Sequence, residues 1–325
     1  MKDEIRCVVP TGDICGEGAV WHVEQRALYW TDINRFLVHR FEPHGQTTQT
    51  WLFKEPVTSV NLTTHADIFL LVFASQVGLW SPRAHPHIRT IFRLPAAPQM
   101  RFNDARVDPR GSLWVGTMCN NVGPKGEDLA VEFAGGILYR IDPDGAVSEW
   151  KSGIGISNTV AWSPDRKTFY FGDSPANVIY SFAYDDRTGK ISNEKQLFVG
   201  HGLGAPDGSA MDQEGFLWNA RPDAGCLIRI APDGRIDRIV QLPVSKPTTC
   251  TFGGLDRKTL YITSGRSAEQ YSGSVFALDT EVRGLEDGRF LLLKLPSAQS
   301  LQNPEFLSPV RRHDACLLSD ESWRF

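Results

Sequence analysis

The chain has 325 residues and a formal charge of −4, with Lys and Arg scattered rather than gathered into a basic stripe, which argues against nucleic acid as a partner. No apolar run reaches the roughly 18 residues a membrane helix needs, and the opening MKDEIRCVVP lacks the apolar core of a secretory signal, so no membrane contact and a cytoplasmic location are expected. Glycine (29), proline (20) and phenylalanine (18) are plentiful while long Ala, Glu, Lys and Leu runs are absent, which points to an all-β chain with many turns.

In chain order, the β-prone segment Glu4–Pro10 comes first, left over from any repeat. Then one pattern recurs six times: a short apolar strand, a turn carrying Asp, Gly or Pro, and a strand rich in aromatic and β-branched residues. It reads GEGAVWHVEQRALYWTDI from Gly16, VTSVNLTTHADIFLLVFAS from Val57 and FNDARVDPRGSLWVGTM from Phe102. It continues as SNTVAWSPDRKTFYFGDS from Ser157, PDGSAMDQEGFLWNAR from Pro206 and PTTCTFGGLDRKTLYITSG from Pro247. The last large apolar residues of the six first strands are Trp21, Leu62, Val107, Trp162, Met211 and Phe252, spaced 41 to 55 residues apart. That interval holds four strands and their turns, one blade of a propeller. Second hairpins follow in GGILYRIDPDGAVSEW, NVIYSFAYDDRTGKI and GCLIRIAPDGRIDRIV. A lone blade cannot bury both faces, whereas six stacked around an axis do.

The expectation is an all-β, six-bladed β-propeller with a central metal-binding channel, forming a single domain over 1–325. The blades run from about residue 11 to 290, the N-terminal segment closes the last blade, and a tail covers about 295–325. The cysteines, Cys7, Cys15, Cys119, Cys226, Cys250 and Cys316, form no CxxC pair and are read as reduced thiols. Tryptophans 21, 30, 114, 162 and 218 fall at repeat positions and are read as core. His85 and His87 are read as solvated, and His201 as a loop residue near the channel mouth.

Four residues before each anchor stand Glu17, Thr58, Asn103, Asn158, Asp207 and Thr248, all polar. If the first strand of every blade lines the channel, these side chains form a ring of oxygen groups at one level. A solvated polar lining is the plain alternative. Carboxylates and carboxamides are, however, the ligands of hard divalent cations, and two converging carboxylates repel unless a cation lies between them. Glu17, Asn158 and Asp207 make the best ligand set. Three protein ligands leave positions open for water and substrate, as in a catalytic site.

These residues resemble the senescence marker protein, gluconolactonase and luciferin-regenerating enzyme family, also called the regucalcin family, over about residues 10–290. The matching motifs are GEGAVW at Gly16, RFNDARVDPRGSLWVGTM at Arg101, ISNTVAWSPD at Ile156 and PDGSAMDQEGFLW at Pro206. The resemblance implies hydrolysis of a sugar lactone, an aldonolactone, with one divalent ion (Ca, Mg, Mn, Zn or Fe(II)). It places metal ligands on Glu17, Asn158 and Asp207 and substrate contacts on Arg101, Asn103 and Asp104. Animal members similar to this chain carry adjacent glutamates after the GTM segment. Here Asn120 and Asn121 stand there, so Asn121 is expected to meet the sugar and to alter the pocket.

The carbonyl oxygen gains negative charge in the transition state, which a cation stabilises, with water as nucleophile. Asp207 and Asp104 are the candidate bases. Arg101, two residues before Asn103 on a strand, is expected to share its face and hold sugar hydroxyls. The competing readings are a calcium-binding regulatory propeller without catalysis, and a paraoxonase-like or phosphotriester hydrolase on the same fold. A monomer or small homo-oligomer is expected.

Overall fold

The computed structural model describes residues 4–200 and 202–293. His201, the tail from about Leu295 and Cys316 lie outside the described residues. Six sheets, antiparallel apart from one short added strand, are arranged as blades, each built outward from the first strand of its repeat. The inner strands are Gly16–His22, Val57–Thr63, Met100–Val107, Ser157–Trp162, Ser209–Met211 and Pro247–Gly253. Five blades are continuous in sequence. The sixth takes its outermost strand from the other end of the chain: Ile5–Val9 pairs antiparallel with Val275–Asp279. The expected closure by the N-terminal segment is therefore found, and it ties residue 5 to residue 278 as a molecular latch.

The core lies between blades, as six apolar clusters, one at each blade-to-blade contact. Alternation along a strand explains this: successive side chains point to opposite faces, so each blade feeds two neighbours. In the first blade Tyr29 joins Phe69 and Trp80 of the second blade, while Leu28 and Trp30 join Tyr261 and Val275 of the sixth. Five of the six inner strands are therefore buried along their whole length, as are the second strands Leu113–Cys119 and Phe69–Phe73 beside them. Burying one such aromatic or aliphatic side chain stabilises by roughly 1.5–3 kcal/mol. All five repeat tryptophans pack in these clusters.

An aspartate six residues before a buried tryptophan shapes two of the first-hairpin turns. In DPRGSLW, Asp108 Oδ1 accepts the N–H groups of Arg110 and Ser112, each 2.9 Å, and Oδ2 accepts Trp114 Nε1 at 3.0 Å. Asp212 repeats this with Glu214, Phe216 and Trp218, each 3.0 Å. One carboxylate thus folds the hairpin turn and orients the buried indole.

Two expectations need correction. The sixth blade ends at Asp279, and residues 280–293, read as blade to about 290, form a strap instead. The strap crosses the face that carries the first-hairpin turns: Gln213 N–H donates to Arg283 O, Leu285 N–H to Met211 O and Leu291 N–H to Gly111 O. Its two-residue strand Arg289–Phe290 then adds parallel to Val57–Thr63. No repeat announces this segment. His85 is also not simply solvated: its ring packs edge-on against Phe53 at 5.1 Å, whereas His87 is exposed. The five described cysteines are free thiols. No helix among the described residues is long and apolar enough to cross a membrane.

Candidate active site in the channel

At the level of the polar ring the inner strands depart from regular pairing. In the first blade the ladder jumps from Glu17 opposite Thr31 to Val20 opposite Tyr29. It jumps from Phe102–Thr117 to Ala105–Val115 in the third, and from Asn158–Gly172 to Ala161–Tyr170 in the fourth. Two residues then face one across the ladder, a β-bulge, which re-aims side chains and frees backbone from the sheet. The four-residue register used above is therefore not plain strand alternation; the extra residue turns the polar side chain toward the axis. The bulge bends the backbone at Gly18 (φ 57°) and Thr159 (φ 54°). A Cβ on Gly18 would come within 2.5 Å of Ser59 Cα, so only glycine fits beside Glu17. Asp207 lies just before its strand, outside the ladder.

The six ring positions divide into two kinds. Thr58 and Thr248 donate their hydroxyls to the next blades, to Asn103 O at 3.0 Å and to Gly16 O. They staple blade to blade, and their hydroxyl protons are already committed. Asn103 bridges: its Nδ2 donates to Ser157 O at 2.8 Å and to Asn158 Oδ1 at 3.2 Å, and its Oδ1 accepts Arg101 Nη1 at 2.6 Å. Asn158 Nδ2 donates to Ser174 Oγ at 2.8 Å, which fixes the amide, and Ser174 Oγ donates on to Pro206 O at 2.7 Å beside Asp207. Asp104, the second bulge residue, accepts Ala105 N–H at 2.9 Å and Val160 N–H at 3.3 Å. It thus serves bulge backbone rather than a turn.

Glu17 and Asp207 have no ion pair among the described residues. Glu17 accepts the N–H of Gly18 at 2.9 Å and lies within side-chain hydrogen-bond reach of Asp207. Burial and the nearby Asp104 charge push its carboxyl up to about 8. Burial, then the charges of Glu17 and Asp104, push Asp207 well above the usual carboxylate range. Burial also raises Asp104, against the pull of the neighbouring Arg106 guanidinium. No three His, Cys, Asp or Glu side chains gather into a metal-holding group among the described residues. The hard-oxygen set is instead two carboxylates with the carboxamide oxygens of Asn158 and Asn103. That set fits a divalent cation, because two facing carboxylates without a protein cation need an outside positive charge or a proton. Cys15 stands beside them, and burial with the Glu17 and Asp207 charges raises its thiol, so it stays protonated and is no nucleophile.

Above the ring opens a cavity of about 540 Å³ whose wall includes Cys15, Arg101, Asn121, Thr248, Lys246 and Arg266. Arg101 is buried, and Asn121 holds it: Arg101 Nε donates to Asn121 Oδ1 at 2.8 Å. Burial lowers the guanidinium only to about 10, so it remains charged at neutral pH. The loop that follows Asn121 closes one side of the mouth, tied down by Asn34, whose Nδ2 donates to Gly126 O and Asp128 Oδ1, each at 2.9 Å. All seven expected site residues therefore meet around one end of the channel.

Several supports were not read from the sequence. Thr159 donates to Asp207 O at 2.5 Å, and Asn219 Nδ2 donates to the same oxygen at 2.9 Å. Arg221, buried with no carboxylate partner among the described residues, donates to Leu203 O at 2.9 Å and Gly204 O at 2.7 Å, and to Asn219 Oδ1 at 3.2 Å. Together they set the loop that delivers Asp207. Only the position of Thr159 and Asn219 beside quoted motif residues was a signal.

The family described as SMP-30/Gluconolactonase/LRE-like region matches residues 15–266. A 6-deoxy-6-sulfogluconolactonase of Pseudomonas putida is 34% identical over 302 residues, covering 89% of this chain and 99% of the relative. Pentonolactonase XacC of Haloferax volcanii is 33% identical over 298 residues, covering 87% and 96%. Among solved structures, a regucalcin of Agrobacterium tumefaciens, titled a calcium-binding protein, superposes with a TM-score of 0.82 at 25% identity, covering 89% of this chain and 98% of that one. With a match that spans most of the propeller and relatives aligned nearly end to end, the chain belongs to the SMP-30/gluconolactonase/LRE-like family.

Proposed function

We propose that the chain is a sugar lactonase that opens an aldonolactone to the aldonic acid, with a divalent cation held by Glu17, Asn158 and Asp207. The observation that carries this reading is the pair of carboxylates, Glu17 and Asp207, facing each other at the channel end without a cationic partner among the described residues. Family membership supports it, since relatives aligned over most of the chain are named for the hydrolysis of sugar lactones. The relatives named regucalcin, one a protein titled calcium-binding, support a divalent ion in the channel.

When bound, the cation supplies Lewis-acid stabilisation of the carbonyl oxygen as charge develops there. The chain's own residues do the rest. Asn121 and Asn103 hold Arg101 by two hydrogen bonds, which leaves its remaining N–H groups for sugar hydroxyls. Asp104 has both oxygens turned to backbone N–H groups and is buried, while Asp207 is the more exposed carboxylate. Asp207 is therefore the better placed of the two to accept the proton of the attacking water, with Asp104 setting the local charge. The wall of the mouth cavity shields the reacting carbonyl from bulk water on the side of the Asn121 loop.

The test is proton release from gluconolactone, xylonolactone, arabinonolactone and galactonolactone by EDTA-treated protein, then with added Ca²⁺, Mg²⁺, Mn²⁺, Zn²⁺ or Fe²⁺. Turnover above spontaneous opening that depends on an ion is the expected result. Tight cation binding with no turnover on any lactone would instead favour the calcium-binding regulatory reading. Turnover of acyl lactones or phosphotriesters alone would favour the other hydrolase reading.

A further inference from the structure

The carboxylates of the channel lie between two buried arginines carried by one strand. Met100–Val107 holds Arg101 at the mouth, then bulge residue Asp104, then Arg106 two residues further toward the rear hairpin turn. Arg101 lines the mouth cavity. Arg106 lines a cavity of about 450 Å³ at the opposite end, together with Asp108 and the strap residue Asp287.

Arg106 has no part in the chemistry derived above, yet its reach is long. It is rooted in the third blade, but its Nη1 donates to Ala19 O of the first blade at 2.8 Å, although the second blade packs between those two. Ala19 lies two residues beyond Glu17 on its inner strand, as Arg106 lies two beyond Asp104. The same nitrogen stands 3.8 Å from Asp287 Oδ1, and Asp287 Oδ2 accepts the hydroxyl of Thr251, in the sixth blade, at 3.1 Å. A side chain tied to blades three and one, and through Asp287 to six, crosses the channel. It closes the channel on the rear side of Glu17 and Asp104. The strap is fitted to this contact: a Cβ on Gly288 would stand 2.2 Å from Val107 O, so the strap backbone lies against the strand that carries Arg106 and sets Asp287 beside it. Burial works against the Arg106 charge, but the charges of Asp287, Asp104 and Glu17 more than offset it, and the guanidinium stays a cation.

Three acids converge on the mouth side of this arginine: Glu17, Asp207 and Asp104. A divalent ion cancels two of their charges, and the third calls for a cation of the protein's own. We propose that Arg106 is a positioning residue for the bound cation: a tethered positive charge that closes the rear of the channel, balances Asp104 and limits the three carboxylates to one divalent ion, with Asp287 of the strap setting its grip. The inference rests on the cation-binding part of the reading above and not on the lactone chemistry. Like charges repel strongly in a poorly screened interior, so Arg106 lowers the affinity for the first ion while it excludes a second.

The experiment is calorimetric titration of EDTA-treated protein with Ca²⁺, Mn²⁺ and Zn²⁺, in wild type, Arg106→Gln, Arg106→Lys, Asp287→Asn and the double variant Arg106→Gln/Asp287→Asn, each checked by thermal melting. Wild type should take up one ion. Arg106→Gln should bind about tenfold more tightly or take up a second ion, and Arg106→Lys should stay within about threefold of wild type. Asp287→Asn withdraws a negative charge and leaves that of Arg106 uncancelled, so it should bind about threefold more weakly. An arginine that only packed the channel would give the opposite sign at position 106, because its removal loosens the bulge at Asp104 and weakens binding. Should Arg106→Gln fail to fold, the double variant removes the pair together and should still bind more tightly than wild type. Folded Gln variants that take one ion no more tightly than wild type, or an Asp287→Asn variant no weaker than wild type, overturn the inference and leave the cation and lactonase readings standing. No ion bound by wild type overturns the inference and the cation reading together.

Discussion

Two sets of buried carboxylates sit within this propeller, and their surroundings could hardly differ more. Asp108 and Asp212, in the hairpin turns, accept hydrogen bonds on both oxygens, and Asp212 is paired with Arg229 at 2.7 Å. Glu17 and Asp207, at the other end of the inner strands, have neither an arginine nor an indole as a direct partner among the described residues; the Asp104 charge raises the cost of ionising both, and the Glu17 charge raises that of Asp207. Evolution of a stable fold explains the first set, since a buried charge is tolerated when its hydrogen bonds are complete. The second set needs either a proton or a positive charge from outside. The difference teaches that the question to ask of a buried acid is how it is partnered, not how deep it lies.

The sharpest way to break this comparison is to remove one charge from the unpartnered set. Glu17→Gln or Asp207→Asn is expected to lower lactone turnover a thousandfold or more, because a lost metal ligand removes the stabilisation of the carbonyl oxygen. In EDTA-treated protein the same variants should melt no lower than wild type, because they relieve repulsion. Initial rates and thermal melts read both signs. A variant that keeps wild-type turnover would remove that residue from the site.

The next effect is on pH. The Glu17 carboxyl stands near 8 in the fold, above its ordinary value, so the folded state holds a proton that the unfolded chain gives up. Its contribution to stability is present in full below about pH 4.5 and is lost as pH rises through about 8, at up to roughly 1.4 kcal/mol per pH unit. Asp207 adds in the same direction. Stripped protein should therefore lose a few kcal/mol of stability between pH 5 and pH 9, and a saturating divalent ion should cancel the loss. Denaturant melts at both pH values, with and without the ion, decide it. A stripped protein equally stable at both would show that the carboxylates are partnered after all.

The outline of the fold was open to reading because a blade repeats its demands. Every inner strand must be apolar on both faces and every first hairpin needs a turn, so Trp21, Val107 and Trp162 mark the period on their own. The site was legible for a narrower reason: Glu17, Asn103, Asn158 and Asp207 are polar where packing calls for apolar side chains. The strap at 280–293 was not legible, since it pairs only two residues with the second blade and belongs to no repeat. Nor was the bulge, whose extra residue leaves no mark in a four-residue spacing. Arg221 and Ser174 act through backbone carbonyls of loops, contacts that depend on where the chain bends and not on its pattern of polarity.

Within the well-partnered set, Asp212→Asn should lower stability by about 2–4 kcal/mol while the folded fraction keeps its lactone turnover. The substitution removes charge-assisted bonds from Arg229 and converts one acceptor into a donor facing the Trp218 indole. Arg229 keeps Asp237 at 2.8 Å and Glu214 at 2.7 Å, which holds the loss below that of a fully orphaned arginine. Loss of turnover without loss of stability would place Asp212 in the chemistry and erase the distinction between the two sets.

The smallest effect is at Thr159, where structure and site meet. A β-branched residue at φ 54° carries backbone strain of roughly 1–3 kcal/mol, which persists only if its surroundings hold it. What holds it is the hydroxyl, shared between Asp207 O, Asn219 Nδ2 at 3.1 Å and Ser209 Oγ at 3.0 Å. Thr159→Ser keeps the hydroxyl and should leave cation affinity within about twofold. Thr159→Gly relieves the strain but frees the loop that carries Asp207, so stability should change by about 1 kcal/mol at most while cation affinity falls about tenfold, the scale of a lost outer support to a metal site. Titration calorimetry with the ion that restores turnover measures the split. If the glycine variant binds the ion as tightly as wild type, the strained bulge serves only the packing of the fourth blade on the fifth, and the placement of Asp207 depends on Asn219 and Arg221 alone.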